Sequence, residues 1–316
     1  KKYLFEYTIR RDGSSVFGED VRWATFPSVA AGWAFSEEKF MKRFWWLSYG
    51  KVRASWGTSG QQFNSPYLAH GLLDIGGKFM GQVGMLPTEI LNTRLTWEES
   101  DQYDVGLDID LFNYRLKFKL DYYYKYTKSM LYNVEVPGDF YFHTNARMNA
   151  LEISNEGLEM ELSYDILRET VVKWRGRFNV SRNWNRFEKS YTDMDMVANN
   201  LVLGRPIHGL YLYKDLGIVG SENDIPKYYS RQGNLVPLSS SLSYPYVVGS
   251  RLIQDMDGDG VINNNDKYYA GSTLPKAYGG WANEIRWKDF DLNVLFTFTL
   301  GRKMVNVYGI NSLSFN

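Results

Sequence analysis

The chain has 316 residues, 36 basic and 36 acidic side chains, and no cysteine. Balanced charge offers no basic field for nucleic acid, and zero cysteine excludes disulfides, thiolate zinc sites and thiol catalysis. Tyr 24, Phe 18 and Trp 10 make 16% of the residues aromatic, an excess suited to surfaces between apolar and wet surroundings. The chain opens at Lys1-Lys2-Tyr3-Leu4-Phe5 without a leader pattern and reads as a portion of a longer protein.

No stretch of about 18 apolar residues exists, so a spanning helix is excluded, while a spanning β-barrel needs only alternation over about ten residues. That alternation runs along the chain. Tyr3, Phe5, Tyr7 and Ile9 share one face; Val52, Ala54 and Trp56 alternate with Lys51, Arg53 and Ser55. Residues 58 to 95, rich in Gly and Asn, read as a long loop. Tyr103, Val105, Leu107, Ile109 and Leu111 alternate with Asp104, Asp108 and Asp110, then a tight turn at Phe112-Asn113-Tyr114 starts a strand from Tyr114 to Tyr126. Leu158, Met160, Leu162 and Tyr164 follow, then Trp174, Phe178, Val180 and Trp184 among Lys173, Arg175 and Arg177. A second long loop, 188 to 277, includes the Ser-rich segment Pro237–Ser243; Phe290, Leu292, Val294, Phe296 and Phe298 close the pattern. Roughly ten strands, short turns on one side and long loops on the other predict an all-β, antiparallel transmembrane barrel wall; a soluble β-sandwich would also alternate, but strand length and the number of large aromatics favour the barrel.

One motif names its own chemistry. Asp255-Met256-Asp257-Gly258-Asp259-Gly260-Val261-Ile262-Asn263-Asn264-Asn265-Asp266 places carboxylates at positions 1, 3, 5 and 12 of a calcium-type loop, with Gly at 6. A hard cation needs six or seven oxygens at about 2.3 to 2.6 Å. Asp255, Asp257, Asp259, the Val261 carbonyl and Asp266 can supply them, with water or Asn263 at position 9. Asp at position 12 leaves the choice between calcium and magnesium open, and a metal-free Asp/Asn/Gly turn is the plainer alternative. The flanks read as extended, so the loop is expected to staple a surface loop.

Catalytic signals are sparse. His70, His143 and His208 lack ligand spacing, no G-x-S-x-G elbow is present, and Gly71 to Lys78 departs from a phosphate loop. No enzyme is expected, and no organic cofactor.

The stretches Arg11-Asp12-Gly13-Ser14-Ser15-Val16-Phe17-Gly18 and Arg22-Trp23-Ala24-Thr25-Phe26-Pro27-Ser28-Val29-Ala30-Ala31-Gly32-Trp33 resemble the barrel of SusC/RagA-type TonB-linked outer-membrane transporters. Lys51 to Gly60, Tyr103 to Asp108, Asp121 to Lys125, Asn155 to Glu159, Gly204-Arg205-Pro206-Ile207, the Asp-rich loop, Gly271 to Lys276 and Phe290-Asp291-Leu292 continue the likeness in order. The resemblance implies an importer of oligosaccharides or oligopeptides in a bacterial outer membrane, capped by a SusD-like surface lipoprotein and driven by TonB. It implies that residues 1–316 form part of one barrel of the plugged, 22-strand kind, without the plug, and that 255–266 is a calcium-type loop within an extracellular loop. Tyr114, Phe118, Tyr122 and Trp184 are then expected to face lipid, and Arg115, Lys117, Glu159 and Arg175 the watery lumen. A soluble, calcium-stapled carbohydrate-binding β-domain is the competing reading, and a barrel enzyme a more distant one.

Overall fold

The computed structural model describes residues 1–63, 72–87, 90–136, 144–230, 233–240 and 245–306. His70, Gly71, His143, Ser241 to Ser243 and the closing Ser314-Phe315-Asn316 lie outside the described residues. Among the described residues no helix is long and apolar enough to cross a membrane.

Nine antiparallel strands, paired in chain order, build one sheet. They are β1 (Tyr3–Gly13), β2 (Trp23–Trp33), β3 (Leu47–Gln61), β4 (Glu98–Leu111), β5 (Leu116–Glu135), β6 (Asn145–Leu167), β7 (Val172–Lys189), β8 (Ala277–Trp287) and β9 (Phe290–Leu300). Links 34–46, 112–115, 168–171 and 288–289 join strands at one end; the longer 62–97 and 190–276 leave and re-enter the sheet at the other, as do 14–22 and 136–144. The expected contrast between short turns and long loops is therefore built into the wall.

Register explains why the alternation matters. One row across the sheet reads Ile109, Phe118, Leu162, Phe178, Trp281 and Phe296 on six successive strands. The neighbouring row on the opposite face reads Lys51, Asp108, Lys119, Glu161 and Asn179. Because side chains alternate with period 2, a slip of one residue in any pair would exchange the two faces, so the pattern itself fixes the pairing. From Phe290 to Leu300 the chain rises about 34 Å, or about 24 Å at a 45° tilt, close to the apolar band of a barrel in lipid.

The apolar face is not covered. Phe5 is 76% exposed, Phe296 58% and Val105 52%, whereas a soluble sandwich must bury such a face against a second sheet. An apolar face turned outward is what a barrel wall presents to lipid. A small core sits instead at the long-loop end, where Phe17, Phe26 and Trp97 are buried together and the Trp97 indole donates to the Val21 carbonyl at 3.0 Å.

Two expected positions shift. The strand after the tight turn begins at Leu116, because Phe112, Asn113 and Tyr114 hold φ values of 53°, 54° and 62° and the chain is still turning there. Tyr114 thus belongs to the turn, its amide donating to Ser48 Oγ at 3.2 Å. Arg115 donates to the Asp165 and Ile166 carbonyls at 2.8 and 2.7 Å, tying this turn to the end of β6. Phe118, Tyr122 and Trp184 share the apolar face, Trp184 at its rim beside Glu156 with Arg182 4.6 Å over its ring. Lys117, Glu159 and Arg175 share the charged face.

The chain folds as two compact units. The wall is the first. The second, Asp195–Leu274 with the segment from Arg302, is built from short paired strands: Gly209–Tyr213 with Lys267–Ser272, Asp215–Ile218 with Arg251–Ile253, Lys227–Tyr229 with Leu235–Pro237, and Ser239–Ser240 parallel to Val261–Ile262. Part of the stretch read from sequence as one irregular loop is therefore ladder. These strands of two to six residues are too short for their alternation to stand out.

Candidate functional site

The Asp-rich loop joins the strand Arg251–Ile253 to the strand Lys267–Ser272. Each aspartate turns the chain onto its own carboxylate. Asp255 accepts from the Gly258 and Gly260 amides at 2.6 and 2.8 Å, Asp257 from the Asp259 amide at 3.2 Å, and Asp259 from the Val261 amide at 2.7 Å. Gly260 has φ +80, and a Cβ there would fall 2.1 Å from the Tyr228 ring, so glycine is required by both backbone and packing.

These turns gather the carboxylates of Asp255, Asp257 and Asp259, whose oxygens lie within 4.8 Å of one another. Asp266 is placed differently. It is fully buried, and its two oxygens accept from the Met256 and Asn263 amides at 2.7 Å each, closing the loop from behind. The Val261 carbonyl accepts from the Asn263 side-chain amide at 3.1 Å. Partial removal from water, followed by the charges of Asp259, Asp266 and Asp255, raises the Asp257 carboxyl above the usual carboxylate range. The loop thus concentrates negative charge that a cation would relieve.

The charged face of the wall is the other constellation. Arg53 reaches Asp108 at 3.3 Å and also pairs with Asp121; Arg175 holds Asp165 at 2.5 Å, Arg177 pairs with Glu284, and Arg286 grips Asp291 through two contacts of 2.6 and 3.2 Å. All of these pairs lie on one side of the sheet; all but Arg53–Asp121, which spans β4, bridge neighbouring strands. The alternation of charge in β3 to β7 hinted at them, but which partners meet depends on register across strands far apart in sequence. Of the histidines, His208 lies in the second unit, where its carbonyl accepts from the Thr273 amide at 3.0 Å.

Comparison with known proteins agrees with this architecture. Residues 1–311 match the family described as TonB dependent receptor-like, beta-barrel. TonB-dependent receptor P26 of Formosa agariphila is 31% identical over 97% of this chain and 31% of its own length. TonB-dependent receptor SusC of Bacteroides thetaiotaomicron is 26% identical over 99% of this chain and 31% of its own. The chain therefore spans about a third of the curated relatives it matches, all of them receptors by name. Among solved structures, the RagAB peptide importer in its open-open state superposes with a TM-score of 0.75 at 22% identity, covering 96% of this chain and 31% of that one. A nine-strand wall with one apolar and one charged face, matched along nearly its whole length, places the chain in the outer membrane as a member of the TonB-dependent receptor β-barrel family, of the SusC/RagA type.

Proposed function

We propose that this chain is part of the wall of an importer that takes up oligosaccharides or oligopeptides, energised by TonB and covered by a SusD-like surface lipoprotein. The observation that supports it most is the separation of faces. A continuous apolar, aromatic surface suits lipid, while the ion-paired surface behind it suits an aqueous lumen. The relatives' names, SusC among them, and the fold shared with a peptide importer favour uptake over a purely structural barrel. On this reading Phe118, Tyr122 and Trp184 meet lipid, and Lys117, Glu159 and Arg175 meet the water path.

The Asp-rich loop has a structural role in the same reading. Asp255, Asp257, Asp259 and the Val261 carbonyl would hold calcium or magnesium, while Asp266 shapes the loop around them. A cation there pins residues 255–266 against the strand pairs on either side.

The test uses the full-length protein with its surface lipoprotein in a Gram-negative host. Uptake of labelled oligosaccharide and oligopeptide pools is compared with and without TonB. Accumulation of one pool that disappears without TonB is the expected result. Uptake indifferent to TonB, or none of either pool, would remove the import reading.

A further inference from the structure

The link from β2 to β3, residues 34–46, folds back onto the apolar side of the wall. Its first turn, Phe35–Glu37, follows Ala34, and the Phe35 ring covers Gly50, where a Cβ would fall 2.3 Å from that ring. Gly50 stands in register with Ile109 and so belongs to an apolar row of the sheet. The Trp33 ring meets Phe35 edge-on at 6.0 Å, and Glu38 ties the link to β1 and β2 by accepting from Lys2, Tyr3 and Trp33. Further turns fix the rest. The Met41 and Lys42 amides donate to the Glu38 carbonyl at 3.1 and 3.3 Å, and the Phe44 and Leu47 amides to the Met41 and Phe44 carbonyls at 3.0 and 3.1 Å. On the other flank the Trp45 ring lies 6.2 Å from Phe112, whose amide donates to the Trp46 carbonyl at 2.8 Å. The link is thus held by β1 on one side and by the β4–β5 turn on the other.

From Lys39 to Trp46 the link carries three cations, Lys39, Lys42 and Arg43, four rings, Phe40, Phe44, Trp45 and Trp46, and no carboxylate. The three cations are exposed, Trp45 is 81% exposed, and the Arg43 guanidinium lies 4.8 Å from the centre of the Phe44 ring. Rings seated at headgroup level with lysine and arginine beside them form an interfacial anchor, and the cations draw in headgroups of net negative charge. Short turns mark the periplasmic end of an outer-membrane barrel, where the surrounding leaflet is phospholipid. We propose that residues 39–46 bind the headgroup of an anionic phospholipid, with Lys39, Lys42 and Arg43 on its phosphate and the rings beside its ester groups. The contact needs only the outer-membrane placement of the wall, whatever the barrel carries.

The experiment reconstitutes the full-length protein in phosphatidylcholine vesicles that carry a trace of photoactivatable phosphatidylglycerol or of its phosphatidylcholine counterpart, and maps the crosslinks on peptic peptides. Phosphatidylglycerol should label the 39–46 region about fivefold or more above phosphatidylcholine, the gain from roughly one cation drawn to one anionic headgroup. Lys39→Gln with Lys42→Gln and Arg43→Gln should bring the two lipids to parity. Lys288→Gln, in the β8–β9 turn, should leave the ratio near its unaltered value, and heat-modifiable mobility checks that each variant assembles. Raised salt should lower the ratio in the unaltered protein, which reads the same attraction without a substitution. Equal labelling by the two lipids in the unaltered protein, or an undiminished ratio in an assembled triple variant, overturns the proposal. If the triple variant does not assemble, the salt measurement decides: a falling ratio supports the proposal and an unchanged one overturns it.

Discussion

Arg53 on β3 and Asp121 on β5 form an ion pair across the strand between them, over the bare backbone of Gly106. The register places Arg53, Gly106 and Asp121 in one row, and a Cβ on Gly106 would lie 2.5 Å from both the Arg53 guanidinium carbon and an Asp121 oxygen. Arg53 also holds Asp108 on β4, so one side chain joins three strands only because the middle strand lacks a side chain there.

Gly106→Val should therefore lift Arg53 away from Asp121. Both groups are about a third exposed, so the loss is modest, about 1 kcal/mol. In an Arg53→Met background the same valine should cost nothing or stabilise, since valine favours strands. Urea unfolding of the four full-length proteins in lipid vesicles measures the coupling; additive effects would mean the pair contributes nothing.

The two faces can be told apart by a single pair of neighbours. Leu120 lies in a row with Leu107 and Met160, and Lys119 in a row with Asp108 and Glu161. Leu120→Arg should destabilise the assembled barrel by about 2–4 kcal/mol if it lies near the bilayer midplane. Lys119→Gln should assemble normally. Heat-modifiable mobility of the full-length protein extracted from outer membranes reads both, and the reverse result would invert the lipid and water faces.

At the short-turn end, Glu38 accepts from the Tyr3 hydroxyl at 2.6 Å, the Trp33 indole at 3.3 Å and the Lys2 ammonium at 3.2 Å. These bonds, the Tyr3 bond foremost, hold its carboxyl below the usual carboxylate range. A depressed folded value means the attachment is fully present above the ordinary carboxylate range and is lost as pH falls through the lower folded value. Amide exchange at Lys2 to Phe5 in the full-length protein should accelerate, beyond its intrinsic pH dependence, as pH falls below the ordinary carboxylate value of about 4. Glu38→Gln should abolish that extra acceleration.

The wall was legible because each long strand repeats a period-2 signal many times, and Leu158 to Tyr164 alone declares which side chains share a face. Boundaries were less so. Arg115 alternates correctly with Leu116, yet it caps a turn, because three successive positive φ values delay the strand in a way no side-chain pattern records. The short strands of the second unit, such as Lys227–Tyr229, fall below the length at which alternation is distinguishable. In the Asp-rich loop the spacing marked the aspartates, but the division of labour between Asp257 and Asp266 is a matter of which amides each carboxylate meets.

That division gives the loop its sharpest test. Asp257 accepts one amide from within the loop and is exposed, so Asp257→Asn should leave the cation-free protein almost unchanged and weaken cation binding. Asp266 is buried between two amide donors, and an asparagine there would turn an NH₂ group toward one of them. An unsatisfied buried donor costs about 1–3 kcal/mol whether or not a cation is present. Terbium luminescence and thermal unfolding of the full-length protein separate the two. With calcium added, the unaltered protein should gain stability that chelation removes. Asp257→Asn should lose most of that gain, and Asp266→Asn should start lower in both conditions. Equal unfolding temperatures with calcium and with chelator, together with no terbium signal, would leave the three aspartates as turn formers alone, since their amide bonds need no metal.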